Sequence, residues 1–230
     1  MYINFVAEEN KNVYVIYWLL LITFLVALMI IVGGLTRLTD SGLSITQWNL
    51  ISGIFPPFTL DSWQKSFDLY KKIPEFRLIN PNMTLEEFKT IYWWEYSHRL
   101  LGRIIGISYL IPLVFFTIKK NINKELFFPL YFIFLLILLQ GFIGWYMVQS
   151  GLIEKTDVSH YRLALHLILA FFIYIFLLWI LLKLNNKKDQ IEQKKLRFLP
   201  IFFFLCIIIQ IIFGAFVSGL DAGQIYQSWP

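Results

Sequence analysis

Cysteine is almost missing from this chain: of its 230 residues one is cysteine, Cys206, and it sits inside an apolar run. A lone thiol excludes an intrachain disulfide and a cysteine metal cluster, and among aliphatic neighbours it is expected to be inert packing. Charge is nearly as scarce. Asp, Glu, Lys and Arg make up 15% of the residues against 58% hydrophobic ones, which excludes an ordinary soluble globular domain, where about 25% are charged. The net charge of +5 does not point to nucleic acid, because the basic residues cluster between apolar runs, where they set membrane topology. A small-residue cleavage pattern is missing behind the first apolar run, which is also too long for a signal-peptide core, so that run is expected to stay as a helix. Histidine is the third scarcity, with three in the chain.

Long apolar runs are what the sequence has in abundance. A bilayer core of ~30 Å takes ~20 helical residues, and five segments reach that length: 13–35, 100–118, 126–148, 161–182 and 198–220. An all-α integral membrane protein in contact with lipid follows. Lys119, Lys120 and Lys124 come after the second span, and Lys183, Lys187, Lys188, Lys194, Lys195 and Arg197 after the fourth. The positive-inside rule places those two connections in the cytoplasm. Residues 1–12 and the connection 185–197 are then cytoplasmic, while the loop 36–83, the connection 151–157 and the C-terminus face outward. The expected setting is a cell inner membrane, crossed several times, with the site toward its outer side.

One stretch concentrates the ionisable groups. In residues 91–103, IYWWEYSHRLLGR, Glu95 and His98 are spaced i, i+3 and Arg99 and Arg103 i, i+4, so each pair shares a helix face at the mouth of the second span. An interfacial belt accounts for Trp93, Trp94 and Tyr96 but gives no reason for Glu95 with His98, and ionisable groups at membrane depth mark function by default. The loop 36–83 carries Trp48, Pro56, Pro57 and Trp63, and residues 55–67 are too apolar for a solvated tether, so a partly ordered lid is expected. Thr84 with Glu87 three residues on reads as a capping box that starts the second helix well before residue 100.

Depth along the helices selects a histidine pair. At about 1.5 Å per residue, His98 stands ~31 Å from Lys119 and His166 ~25 Å from Lys183, a difference that tilt absorbs. His160 falls outside the bilayer core, about a third of a turn from the face of His166, and is left at the rim. Two imidazoles from two helices facing each other in an apolar bundle are the arrangement that holds a haem iron on both axial sides. Zinc would want further ligands that the neighbourhood does not offer. Two buried histidines bonded to backbone carbonyls are the plainer alternative. Arg99 and Arg103 favour haem, since its propionates need cations and Arg binds carboxylates in bidentate fashion.

The chain also repeats itself. Gly33, Asp40, Gly42 and Trp48 recur at one constant offset as Gly214, Asp221, Gly223 and Trp229. The fifth span is therefore expected to open a second four-helix repeat, with 198–230 its first helix.

These features, with GGLTRLTDSGLS over 33–44, GIFPP over 53–57, EYSHR over 95–99, Gln140-Gly141 with Gly144-Trp145, and RLALHL over 162–167, resemble haem A synthase of the type found in proteobacteria and mitochondria. The resemblance implies eight helices in two similar four-helix halves, each with a histidine pair for one haem. This chain would hold the first bundle, 13–184, plus the opening helix of the second, as a C-terminally truncated member. His98 and His166 would be the axial iron ligands, Glu95 the acid required for reaction, and Arg99 and Arg103 the propionate-binding residues. The family oxidises the C8 methyl of haem O to the formyl of haem A by two successive hydroxylations, for terminal oxidase assembly. Haem O is thus the expected substrate, a haem O synthase a plausible partner, and an electron donor is required. The haem b cofactor expected for the family is served by a second histidine pair, which has no counterpart after His166. The loop 36–83 also lacks the cysteine pair of the Bacillus-like branch. Two other readings stay open at this point: a non-catalytic b-type bis-histidine cytochrome, and an inactive remnant of the synthase.

Overall fold

Apolar runs with no water to satisfy their backbone must close every hydrogen bond internally, and the computed structural model, which describes residues 2–49, 52–154, 156–185 and 198–225, does so with helices. In chain order these are α1 (Tyr2–Leu38), α2 (Leu60–Tyr70), α3 (Pro74–Leu78), α4 (Leu85–Ile118), α5 (Lys124–Glu154), α6 (His160–Asn185), α7 (Phe198–Gly219) and α8 (Ala222–Ile225), with a 3-10 turn over Ser52–Ile54. Five of them, α1, α4, α5, α6 and α7, are long and apolar enough to cross a membrane. The protein is a multi-pass membrane protein. Most of the basic connection 185–197 and Trp229 lie outside the described residues.

The first four spanning helices close a ring, α1 on α4, α4 on α5, α5 on α6 and α6 back on α1, while α7 packs along α6. The ring is filled by Val15, Trp18, Leu19 and Ile22 from α1, Tyr109 and Leu113 from α4, Leu130 and Ile133 from α5, and Leu177 and Ile180 from α6. Polar tips buried there need backbone acceptors. Trp18 Nε1 donates to Ser108 O at 2.9 Å and Tyr109 Oη to Leu130 O at 2.8 Å, fastening α4 to both ring neighbours. Cys206 departs from its expected packed setting: it is exposed on α7, whose main spanning neighbour is α6.

The loop 36–83 is folded rather than a tether. Trp63, Phe67, Tyr70 and Ile73 bury themselves against Phe88, Tyr92 and Tyr96 of α4, and Tyr96 Oη donates to Ile54 O at 2.6 Å. This works because α4 extends beyond the membrane span, as its capping box dictates: Glu87 Oε2 accepts from Thr84 N at 2.7 Å and Thr84 Oγ1 from Glu87 N at 3.3 Å. The loop thereby caps one end of the bundle.

Both α1 and α7 leave the bundle at this capped end in the same way. Thr39 N donates to Leu35 O at 3.0 Å and Asp40 N to Arg37 O at 3.2 Å; at the repeat offset, Leu220 N donates to Phe216 O at 3.0 Å and Asp221 N to Ser218 O at 3.3 Å. Asp40 and Asp221 take the left-handed conformation, φ 47° and 51°, that ends such helices. Arg37 ties the two exits together, donating to Ser218 O and Asp221 Oδ1, each at 2.6 Å, to Asp40 Oδ1 at 3.2 Å and to Asp157 Oδ1 at 3.3 Å.

The α6–α7 contact depends on a glycine. A Cβ on Gly219 would stand 2.8 Å from His160 Cβ and 2.9 Å from its Cα, whereas one on Gly214 would meet nothing within 4 Å. Gly219→Ala is expected to push α7 off α6 and cost about 1–3 kcal/mol, with Gly214→Ala neutral or slightly stabilising through helix propensity. Thermal unfolding of the two variants in one detergent checks this.

Candidate functional site

A cavity of about 920 Å³ lies among α1, α4, α5, α6 and α7 beneath the capped end, in the ~300–1,000 Å³ range of small-molecule and cofactor sites. Its deep walls are apolar, with Val26, Met29, Ile30, Ile105, Ile137 and Ile173, while Glu75, Glu95, Arg99, Arg103 and Asp157 border its capped end.

His98 of α4 and His166 of α6 both line this cavity. Each imidazole lies against a glycine of a neighbouring helix. A Cβ on Gly33 of α1 would be 3.5 Å from His98 Nε2, and one on Gly144 of α5 would be 3.0 Å from His166 Cε1. At the second position a larger residue would press on the ring. Gln140 Nε2 donates to His166 O at 3.0 Å, which fixes the α6 backbone at this turn. Among the described residues His166 Nδ1 and Gln140 Oε1 are buried without a hydrogen-bond partner, and buried polar atoms left over in this way call for an explanation. Among the described residues no group of three or more His, Cys, Asp or Glu could hold a metal ion, so the donor set of the cavity is two imidazoles. A pair of imidazoles, a ring nitrogen without a partner among the described residues, a glycine beside the His166 ring and an apolar wall suit an iron porphyrin.

Glu95 is buried, 3% exposed, and both its oxygens are engaged. Oε2 accepts from Ser44 Oγ at 2.6 Å and from Ile45 N at 2.7 Å, and Oε1 accepts from Arg99 Nη2 at 2.5 Å. Arg99 also donates to Ile45 O at 2.8 Å and Gln47 O at 3.3 Å and lies over the Trp48 ring, 4.9 Å from its centroid. One turn further, Arg103 Nη2 donates to Asn49 O at 3.0 Å. The face of α4 that the sequence assigned to a ligand therefore also holds down the chain leaving α1. His160 is elsewhere: it starts α6, its ring 5.5 Å from that of Phe216 and its backbone against Gly219, and it is not among the residues lining the cavity.

A second acid borders the cavity that sequence reasoning missed. Glu75, in the first turn of α3, is 5% exposed and reaches the cavity wall. Its Oε1 accepts from Tyr70 Oη at 3.2 Å, and Tyr70 Oη accepts from Asn80 Nδ2 at 3.1 Å, while Oε2 has no partner among the described residues. Burial pushes its carboxyl up to about 8, with Glu95, Asp157 and Asp40 adding to the rise and the Tyr70 hydrogen bond opposing it. No spacing announces this residue. An acid between Pro74 and Phe76 in a mixed loop reads as surface charge, and its burial follows only from the folding of the cap.

Residues 16–230 match the family described as cytochrome oxidase assembly protein, COX15-CtaA. The haem A synthase of Pelagibacter ubique is 51% identical over 228 residues, covering 98% of this chain and 67% of that protein. That of Parvibaculum lavamentivorans is 47% identical over 229 residues, 99% and 67%, and that of Bradyrhizobium diazoefficiens 46% over 214 residues, 93% and 59%. The chain thus spans about two thirds of the length of the curated relatives it matches. No solved structure matches it.

Removing Glu95 tests its hold on the cap. Glu95→Ala leaves Arg99 without its carboxylate, at a cost of about 3 kcal/mol for a broken buried pair, and strips the acceptor from Ser44 and Ile45. Glu95→Gln keeps one acceptor oxygen for Ser44 and Ile45 while turning an amide donor toward Arg99, and is expected to lose less. Hydrogen exchange at the Ile45 amide checks the order, with protection falling from wild type to the Gln and then the Ala variant.

Proposed function

Since the chain belongs to the cytochrome oxidase assembly protein family, we propose that it is a haem A synthase-type oxidoreductase, converting the C8 methyl of haem O to the formyl of haem A. The observation that carries this reading is that His98 and His166, from two different helices, line one apolar cavity, with Gly144 leaving room for the His166 ring. When bound between them, the iron porphyrin supplies the redox chemistry, with oxygen and an electron donor as co-reactants of the two hydroxylations.

The chain's own residues orient the ring and control its surroundings. His98 and His166 would hold the iron of the ring. Val26, Ile30, Ile105 and Ile173 keep the deep part of the cavity apolar. Glu95, one helical turn from His98, is the reaction's acid: a carboxylate there can stabilise developing positive charge or hold a proton, and its three hydrogen bonds fix where it stands. Arg99 and Arg103 border the cavity and serve the propionates alongside their loop contacts. His160 lies outside the cavity lining and is given no part in holding the ring. With three histidines in the chain, one pair is available, so the haem b cofactor of the family has no second pair to occupy here and no step is assigned to it.

In this reading residues 13–184 form the haem-binding half, 198–230 belong to a second half, and 1–12 and 185–197 face the cytoplasm. The capped end then faces outward from the inner membrane, opposite Lys119 and Lys120, and a haem O synthase delivers the substrate.

Mass analysis of haems extracted from a haem-O-producing host that expresses the chain is expected to give haem A, and haem O alone would refute the activity. Glu95→Gln is expected to retain bound haem and stop product, and an unchanged yield would remove Glu95 from the reaction. His166→Ala is expected to abolish the six-coordinate low-spin spectrum, and His160→Ala to leave it largely intact; the reverse would exchange the two assignments.

A further inference from the structure

Glu75 lies outside the paired-helix chemistry above, yet one of its oxygens has no partner among the described residues. Tyr70 Oη accepts from Asn80 Nδ2, so its own proton is directed to Glu75 Oε1. That contact fixes the carboxyl and leaves Oε2, buried and unpartnered, in the wall of the cavity. A buried polar atom of this kind costs free energy unless something answers it.

We propose that Glu75 is a substrate-binding residue whose Oε2 donates a hydrogen bond to a propionate carboxylate of the bound haem. This rests on the reading of the cavity as a haem site. Among the oxygens of an iron porphyrin that could approach the capped end, the propionates are the acceptors, since the deep walls are aliphatic and would hold the apolar edge. The titratable groups that act on Glu75 are Tyr70 from α2, Glu95 from α4, Asp157 from the α5–α6 connection and Asp40 from the exit of α1. Three of these are acids. They favour the carboxyl form, and only that form can donate to another carboxylate.

The sign of the pH dependence follows. With the carboxyl pushed up to about 8, Glu75 holds its proton and donates below that pH. Above it the group becomes a second anion facing the propionate. Affinity for a propionate-bearing ring is therefore expected to fall as pH rises through about 8. Gln in this position keeps an acceptor for Tyr70 and a donor for the ligand but cannot ionise.

The test is an absorbance titration of the purified full chain with iron protoporphyrin and with its dimethyl ester, whose propionates are masked. At about pH 6, Glu75→Ala should weaken binding of the free acid roughly tenfold, the scale of one hydrogen bond to a charged group, and change the ester by less than about twofold. Glu75→Gln should bind the free acid like wild type at about pH 6 and should lack the weakening that wild type shows by about pH 9. An unchanged affinity in Glu75→Ala, an equal loss for both rings, or a wild-type pH profile in Glu75→Gln overturns the assignment. If His98→Ala binds the ring as tightly as wild type, the haem-site reading itself fails and takes this one with it; if His98 matters and Glu75 does not, only the role of Glu75 is lost.

Discussion

A carboxylate inside a membrane bundle persists only when its oxygens are answered, and the way Glu95 is answered sets the geometry of the whole capped end. Its donors come from three places: Arg99 on its own helix, the Ser44 side chain and the Ile45 backbone. The last two belong to the chain that has just left α1. Because Arg99 returns to the same chain through Ile45 O and Gln47 O, the acid and the base clamp residues 44–47 between them. Loosening either releases the roof over the cavity from the helix that carries His98.

The same helix serves two surfaces. Successive turns of α4 place Glu95, Arg99 and Arg103 under the chain that leaves α1, while His98, three residues from Glu95, turns toward α1 and Gly33. Small residues elsewhere complete the arrangement. Gly144 leaves the space that His166 occupies, and Gly219 lets the start of α6 touch α7. In a membrane, where lipid is as apolar as the helix faces, close approach through small residues is a main source of helix association. Here it also leaves the space that the His166 ring fills.

Most of the architecture was legible because bilayer physics leaves few options. Apolar length gave the five spans, the Thr84 and Glu87 pair gave the early start of α4, and the offset between Asp40 and Asp221 marked two helix exits that carry matching backbone bonds. The motif glycines and Gln140 were visible as letters without a role, since spacing along one helix cannot say which neighbour a glycine meets. Glu75 was invisible for a related reason: its burial is created by Trp63, Phe67 and Tyr70 folding onto Phe88 and Tyr92, contacts between segments with no common period. Cys206 was misplaced because an apolar run does not reveal how many of its faces meet protein.

Charge at the capped end is tightly committed. The cavity is bordered by four acids, Asp40, Glu75, Glu95 and Asp157, and three arginines, Arg37, Arg99 and Arg103. Arg37 is shared among Asp40, Asp157 and Asp221, and Arg99 is held by Glu95. A ligand that brings two carboxylates to this end meets acids that already hold much of the cationic charge. Were every acid there ionised, the entering charges would face repulsion at short range in a poorly screened setting. Holding one acid neutral by burial changes the balance in two ways at once, removing a negative charge and supplying a donor. The aromatic packing of the cap produces that burial, so the fold of a loop remote from the histidines in sequence tunes the electrostatics of the cavity they line.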